Sequence, residues 1–434
     1  DLLHWEHQPI ALYPDEKGFI FSGSAVVDEN NTSGFGKDGK VPLVAIYTYF
    51  RMDIEKEGGI NTQTQGIAYS LDYGQTWEKY AGNPVIDNAT LKDFRDPKVF
   101  WHEASEQWVM VLVAGDHAQF YVSKNLKEWE FTGTFGKAQG AHGGVWECPD
   151  LFKLKVAGSD EEKWVLIISI GTGGPNGGSG TQYFVGEFDG KGFTSDQGTY
   201  QWLDWGTDNY AGVTYNGTLN SERTFIGWMS NWQYALATPT SPWRSAMTLA
   251  RKLTLHSEGD TYFLKNYPVA DFNRLLTKGP AENISVASGA KKTLRFEEGL
   301  NQSEIVFSTA QKDFRLELAN GKNEKLTLSF DATSNLVVLD RTQAGLKDFD
   351  PDFANSLQYM VTKASSSPER EIRIILDKSS LELFENKGEH VMTVQLFPTE
   401  DYVDFTVYNT SKEEMLMKGF QKNAIASIWS VPSN

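Results

Sequence analysis

Two short acidic motifs in this chain could do chemistry, Phe94-Arg95-Asp96-Pro97 and Trp146-Glu147-Cys148-Pro149. Breaking a glycosidic bond takes a carboxylic acid to protonate the leaving oxygen and a second carboxylate, as nucleophile or base, across the same bond. Two acids in two separate motifs suit that reaction, and a third acid is to be sought beside them. Glu147 stands between Trp146 and Cys148, apolar and polarisable neighbours that disfavour a charged carboxylate and lift its pKa toward that of a general acid. Taken singly, Arg-Asp-Pro is also a common turn tripeptide, and Glu147 also reads as a loop residue beside a core tryptophan.

Other motifs carry less. Gly171 to Gly180 is rich in glycine, but no Lys-Ser or Lys-Thr follows it and no helix pattern lies behind it, so it reads as a flexible loop at a rim rather than a phosphate cradle. His4 and His7 have no third ligand at a fixed spacing and read as solvated. No Gly-x-Ser-x-Gly elbow occurs, which leaves a serine hydrolase without support. Cys148 is the one cysteine, so an internal disulfide and a multi-cysteine zinc site are excluded.

The 434 residues suffice for two domains, and 40% apolar with 13% aromatic residues supply their cores. A net charge of −17 argues against a nucleic-acid partner, whereas a neutral sugar polymer makes no demand on surface charge. No apolar run is long enough to span a bilayer. Asn-x-Ser/Thr sequons such as Asn30, Asn88, Asn283 and Asn409 are compatible with secretion but also with a chain merely rich in Asn and Thr.

The elements that must position the acids read as strands. Up to residue 262 short apolar runs, among them Leu43 to Tyr49, Trp108 to Val113, Trp164 to Ile170 and Tyr183 to Phe188, alternate with Gly, Asn and Asp clusters. The turn Ser70-Leu71-Asp72-Tyr73-Gly74-Gln75-Thr76-Trp77 is echoed at Ser123 to Trp129. Small sheets repeated in this way suggest propeller blades. Residues 263–287, with Pro268 and Pro280, read as a linker, and the hairpin pattern of residues 288–434 reads as a β-sandwich. The chain is expected to be all-β, with a catalytic propeller in residues 1–262.

In order along the chain, Phe21-Ser22-Gly23-Ser24-Ala25, Phe94 to Lys98, Trp146 to Asp150, Gly227 to Trp232, Pro242 to Met247, Leu339-Asp340-Arg341 and Asp377 to Phe384 closely resemble glycoside hydrolase family 32, the levanases, exo-inulinases and invertases. The resemblance spans essentially the whole chain. It implies a five-bladed propeller with a funnel-shaped site, a following β-sandwich, and retaining hydrolysis of β-fructofuranosyl linkages in levan, inulin or sucrose. By motif, Glu147 matches the acid/base and Asp96 the stabiliser of the transition state, which holds fructosyl hydroxyls as the ring flattens. Arg95 would orient and tune these carboxylates, and Cys148 would do so more weakly. Phe21 and Ser22 would line the sugar subsite, with Trp232 as a wall. No metal or organic cofactor is needed, since two carboxylates and water suffice. A secreted, periplasmic or cell-surface location is expected.

One departure stands out. The family's nucleophile lies in a Trp-Met-Asn-Asp-Pro-Asn-Gly segment, and no Asn-Asp-Pro occurs in this sequence. Residue 1 aligns with the end of a first blade, so the first blade is expected to be largely missing from this chain, supplied by a segment absent or separately held. The polypeptide alone is then expected to be nearly inactive. The alternative is a catalytically impaired fructan-binding protein. A sialidase, suggested by the Asp-box turn, fares worse, because it needs a convergent arginine cluster and, within residues 1–262, only Arg95 and Arg244 lie in motifs.

Overall fold

A computed structural model describes residues 1–429 except 89, 196, 218–221 and 363–367. Among these, helix is confined to Met52–Lys56 and the 3-10 turns Glu103–Ser105 and Ala270–Leu275; strands make the rest of the regular structure. The all-β expectation holds.

Four antiparallel sheets follow one another, each a meander of four main strands taken in chain order. The first runs Phe19–Val27, Leu43–Phe50, Gln63–Ser70, Glu78–Lys79, and the second Phe94–His102, Gln107–Ala114, Ala118–Ser123, Glu130–Phe135. The third begins with Trp146–Lys155, Glu162–Ile170 and Gly180–Phe188, and the fourth with Tyr210–Thr214, Arg223–Met229 and Arg251–Glu258. The leading strand of each sheet lies beside the leading strand of the next. Ser24 Oγ donates to Pro97 O and accepts from Val99 N, each at 3.0 Å, and Thr214 N donates to Asp150 Oδ2 at 2.6 Å. The leading strands therefore form the inner wall of a propeller. Four blades lie in the described residues, where the resemblance implies five.

The strands that read as continuous apolar runs are buried on both faces. In Gln107–Ala114, Val109, Val111 and Val113 enter the core shared with the third sheet, while Trp108, Met110 and Leu112 enter the core shared with the first. Glu162–Ile170 divides in the same way, with Trp164, Leu166 and Ile168 on one side and Val165 and Ile167 on the other. A period of two, apolar on both faces, is what a blade between two blades requires. The repeated turns match as well. Trp77 Nε1 donates to Gly74 O at 2.9 Å and Trp129 Nε1 to Leu126 O at 3.0 Å, while Asp72 and Asn125 gather the backbone N–H groups of the loop.

The second domain is a sandwich of a seven-stranded and a six-stranded antiparallel sheet around one core, which includes Ile305, Leu316, Leu328, Ile374, Leu383 and Phe405. Residues 263–287 are not irregular. Thr261–Pro268 is the outermost strand of the fourth blade, and Leu276–Thr277 and Glu282–Val286 pair with Met415–Ile425 of the sandwich. Pro268 ends an edge strand, the place where a missing N–H is tolerated.

Buried ion pairs join the domains. Arg251, fully buried, meets Asp204 at 2.9 Å and Glu382 at 2.6 Å, and Arg341 meets Asp208 at 2.9 Å.

Candidate active site

The inner strands are broken at one end by bulges. Pairing slips between Arg95 and Lys98 in the second blade, opposite Cys148-Pro149 in the third, between Tyr210 and Val213 in the fourth, and between Ile20 and Gly23 in the first. Asp96, Cys148 and Ala211 occupy left-handed conformations there, at φ 61°, 47° and 51°. Such conformations cost about 1–3 kcal/mol each for a non-glycine residue and persist where the surroundings enforce them. Pro97 and Pro149 follow the first two, at bulge positions where a missing N–H breaks no ladder bond. A bulge re-aims side chains, and these turn the two acidic motifs toward each other.

Arg95 is the centre of the arrangement. It meets Asp93 at 2.7 Å and Glu147 at 2.9 Å, and its Nε lies 3.9 Å from Asp96 Oδ2. Asp96 Oδ2 also accepts the Cys148 N–H at 3.0 Å and contacts its Sγ at 3.7 Å. The first blade supports this from behind. Asp96 N donates to Thr48 Oγ1 at 3.1 Å, Thr48 donates to Gln65 Oε1 at 2.7 Å, and Gln63 Oε1 accepts Phe94 N at 2.7 Å.

One cation among three acids leaves an excess of negative charge in a half-dry place. Burial raises the Glu147 pKa; Arg95 opposes the rise and the neighbouring Asp96 and Asp93 add to it. Asp96 is also raised by burial, against the pull of the Cys148 amide and Arg95. The Cys148 thiol is pushed up by burial and by the carboxylate of Asp96, so it stays protonated and can donate. A carboxyl raised in this way holds its proton more firmly than a solvated glutamate, the direction that suits a general acid.

The structure brings Arg95, Asp96, Glu147 and Cys148 into one cluster. Ser22 and Phe21 lie in the bulge of the adjoining inner strand, exposed, with Phe21 stacked on Phe50 at 4.5 Å. Since Ser24 bonds across to Pro97 and Val99, both stand near the level of the acidic cluster. Trp232 is 53% exposed, its ring tilted against Trp228 at 5.0 Å, and its backbone N–H donates to Ser179 Oγ at 3.1 Å. Ser179 Oγ in turn donates to Gly171 O at 3.3 Å, and a Cβ at Gly171 would lie 3.4 Å from Glu147 Oε2. Trp232 is therefore one hydroxyl removed from the glycine beside the acid.

Sequence reasoning missed Asp93 and Tyr210. Asp93 is the third carboxylate, two residues before Arg95. Tyr210 lies on the inner strand of the fourth blade, its hydroxyl buried with no hydrogen-bond partner among the described residues and 3.8 Å from the same Gly171 position. Among the described residues no group of three or more His, Cys, Asp or Glu is arranged to hold a metal ion.

Two family models cover this architecture, the glycosyl hydrolases family 32 N-terminal domain over residues 1–268 and the family 32 C-terminal domain over residues 272–424. The chain belongs to glycosyl hydrolase family 32. Within the family it is 42% identical to a levanase of Bacillus subtilis (strain 168) over 439 residues, 99% of this chain but 63% of that protein, so it spans less than two thirds of that relative's length. It is also 42% identical to the extracellular exo-inulinase inuE of Aspergillus niger, covering 94% of this chain and 82% of that one. The crystal structure of an exo-inulinase from Aspergillus awamori superposes with a TM-score of 0.89 at 37% identity, over 99% of this chain and 89% of the other. A β-fructofuranosidase of Schwanniomyces occidentalis, complexed with fructosyl-erythritol, gives 0.80 at 30% identity, over 98% and 87%.

Proposed function

We propose that this family 32 chain is a retaining glycoside hydrolase acting on β-fructofuranosyl linkages of fructans, levan foremost, then inulin and sucrose. The observation that carries the reading is the single guanidinium of Arg95 joining Asp93, Asp96 and Glu147 where the inner-strand bulges meet. The levanase and exo-inulinase relatives support the choice of substrate class.

In this reading Glu147 gives its proton to the glycosidic oxygen as the bond from that oxygen to the fructosyl carbon breaks and the carbon bonds instead to a nucleophilic carboxylate; water then displaces that carboxylate and gives its proton back to Glu147, releasing fructose. Asp96 accepts hydrogen bonds from fructosyl hydroxyls, bonds that strengthen as the ring takes on oxocarbenium character. Arg95 fixes both carboxylates. Cys148, donating to Asp96 from backbone and thiol, leaves the other carboxylate oxygen of Asp96 for the sugar. Phe21 and Ser22 line the terminal sugar, and Trp232 forms a wall for the substrate beyond it. Retention also requires a carboxylate that attacks the anomeric carbon. Asp93 is paired with Arg95 and Asp96 is held by the Cys148 amide, so neither is assigned that attack.

The extracellular exo-inulinase relatives support a secreted, periplasmic or cell-surface location. No helix among the described residues is long and apolar enough to cross a membrane.

The test is product analysis. The chain, its mass verified, is incubated with levan, inulin and sucrose beside the Glu147→Gln variant. Fructose or short fructans lost in the variant bear out the reading, with the drop expected at roughly 10²-fold to 10⁴-fold. Levan binding with no product from either protein would instead mark a fructan-binding protein.

A further inference from the structure

The glycine-rich segment 171–180 is held from two sides. At its start, Gly143 and Gly144 back directly onto Thr172 and Gly173. In its middle, the Asn176 amide donates to Tyr359 O at 2.9 Å and to Trp205 O at 2.5 Å, and its oxygen accepts Tyr359 N at 2.7 Å. Tyr359 belongs to Gln358–Val361, an edge strand of the six-stranded sheet of the sandwich. At its end, Ser179 N donates to Asn231 Oδ1 at 3.3 Å and Ser179 Oγ accepts the backbone N–H of Trp232.

One asparagine side chain thus takes the place of a strand neighbour, bonding both backbone groups of Tyr359 from another domain. A segment with Gly173, Gly177 and Gly178 at positive φ has large backbone freedom to lose, and a fixed course requires such a restraint. The restrained segment connects Gly171, beside Glu147, to Trp232, the exposed aromatic at the rim.

We propose that Asn176 is a positioning residue through which the sandwich sets how tightly the site holds the part of an oligosaccharide beyond its terminal sugar. The inference rests on the β-fructosidase reading and adds to it a residue and a domain that the acidic cluster does not involve. Releasing Asn176 frees the segment and lets Trp232 drift. The terminal sugar, bound at Asp96 and Glu147, is little affected, while a longer chain that extends past the rim loses its wall.

The experiment compares the full chain with Asn176→Ala and Asn176→Asp, titrating fructose and an inulin-type fructotetraose by calorimetry, with KM and kcat measured on the tetrasaccharide and on sucrose. Asn176→Ala is expected to weaken tetrasaccharide binding roughly tenfold and to leave fructose binding within about twofold, with the pH profile unmoved. Trp232→Ala combined with Asn176→Ala should weaken it no further than Trp232→Ala alone, because both act on one wall. Equal weakening of both sugars, or additive loss in the double variant, overturns the proposal. If a variant fails to fold, the Trp232→Ala single variant still decides, since equal loss for fructose and tetrasaccharide removes the wall on which the proposal depends. A parent chain that binds neither sugar withdraws the β-fructosidase reading itself, a failure told apart from an intact parent with an indifferent Asn176.

Discussion

Arg95 and Glu147, 52 residues apart in sequence, meet at 2.9 Å between the inner strands of neighbouring blades. The same guanidinium holds Asp93, so the acid is fixed by a cation that is itself anchored on a second carboxylate.

That geometry gives a pH prediction. As the proposed general acid, Glu147 has to be protonated to act; its pKa is raised by burial, and Arg95 restrains the rise. Activity is therefore lost as pH climbs through the Glu147 pKa. In Arg95→Lys a single ammonium cannot bridge three carboxylates as a planar fork does. Its weaker hold on Glu147 should move the alkaline limb of the kcat profile to higher pH and lower kcat by roughly tenfold or more. An unmoved limb counts against the coupling.

Asp96 gives a stability prediction of the opposite sense to most substitutions. A carboxyl whose pKa is raised on folding stabilises the fold when protonated, and that contribution is lost as pH rises through the folded value. Asp96→Asn should accordingly be more stable than the parent at neutral pH, by about 0.5–2 kcal/mol, while losing activity. The advantage should shrink in acid, where the parent is protonated too. Thermal midpoints at pH 7 and pH 4 check both parts.

The domain interface predicts coupled unfolding. Arg341 NH1 bonds Asp208 and Gln395 O, and NH2 bonds Thr207 Oγ1 and Tyr234 OH. Arg341→Met strands the buried Asp208 carboxylate, a loss of about 3–5 kcal/mol. Denaturant unfolding of the variant should separate into two transitions, propeller and sandwich, where the parent shows one.

In the shared core of the second and third blades, Leu166 is fully buried. Leu166→Ala should cost about 2–5 kcal/mol, read from the shift of the unfolding midpoint, with KM for sucrose unchanged in the folded fraction.

Much of this was legible in the sequence. The Ser70–Trp77 turn and its echo at Ser123–Trp129 mark equivalent hairpins, and the two acidic motifs fall on neighbouring inner strands. What could not be read were facts of the third dimension. Positive φ at Cys148 and Ala211 breaks no local rule that a sequence displays, yet it aims the cluster. Asp93 had only its nearness to Arg95 as a signal, and Tyr210 had none. Pro268 reads as part of a linker because a proline closing an edge strand and a proline in a loop are spelled alike. The glycine-rich segment looked free because Asn176 finds its partners on Tyr359, 183 residues away.

The left-handed kinks at Asp96, Cys148 and Ala211 recur in three successive inner strands. In the fourth blade the kink ends in a methyl group. Each of these three repeats thus brings its own socket, and whether a socket holds a tool depends on one side chain. New chemistry in such a ring would need no new backbone, only a different residue at a position the fold has already bent.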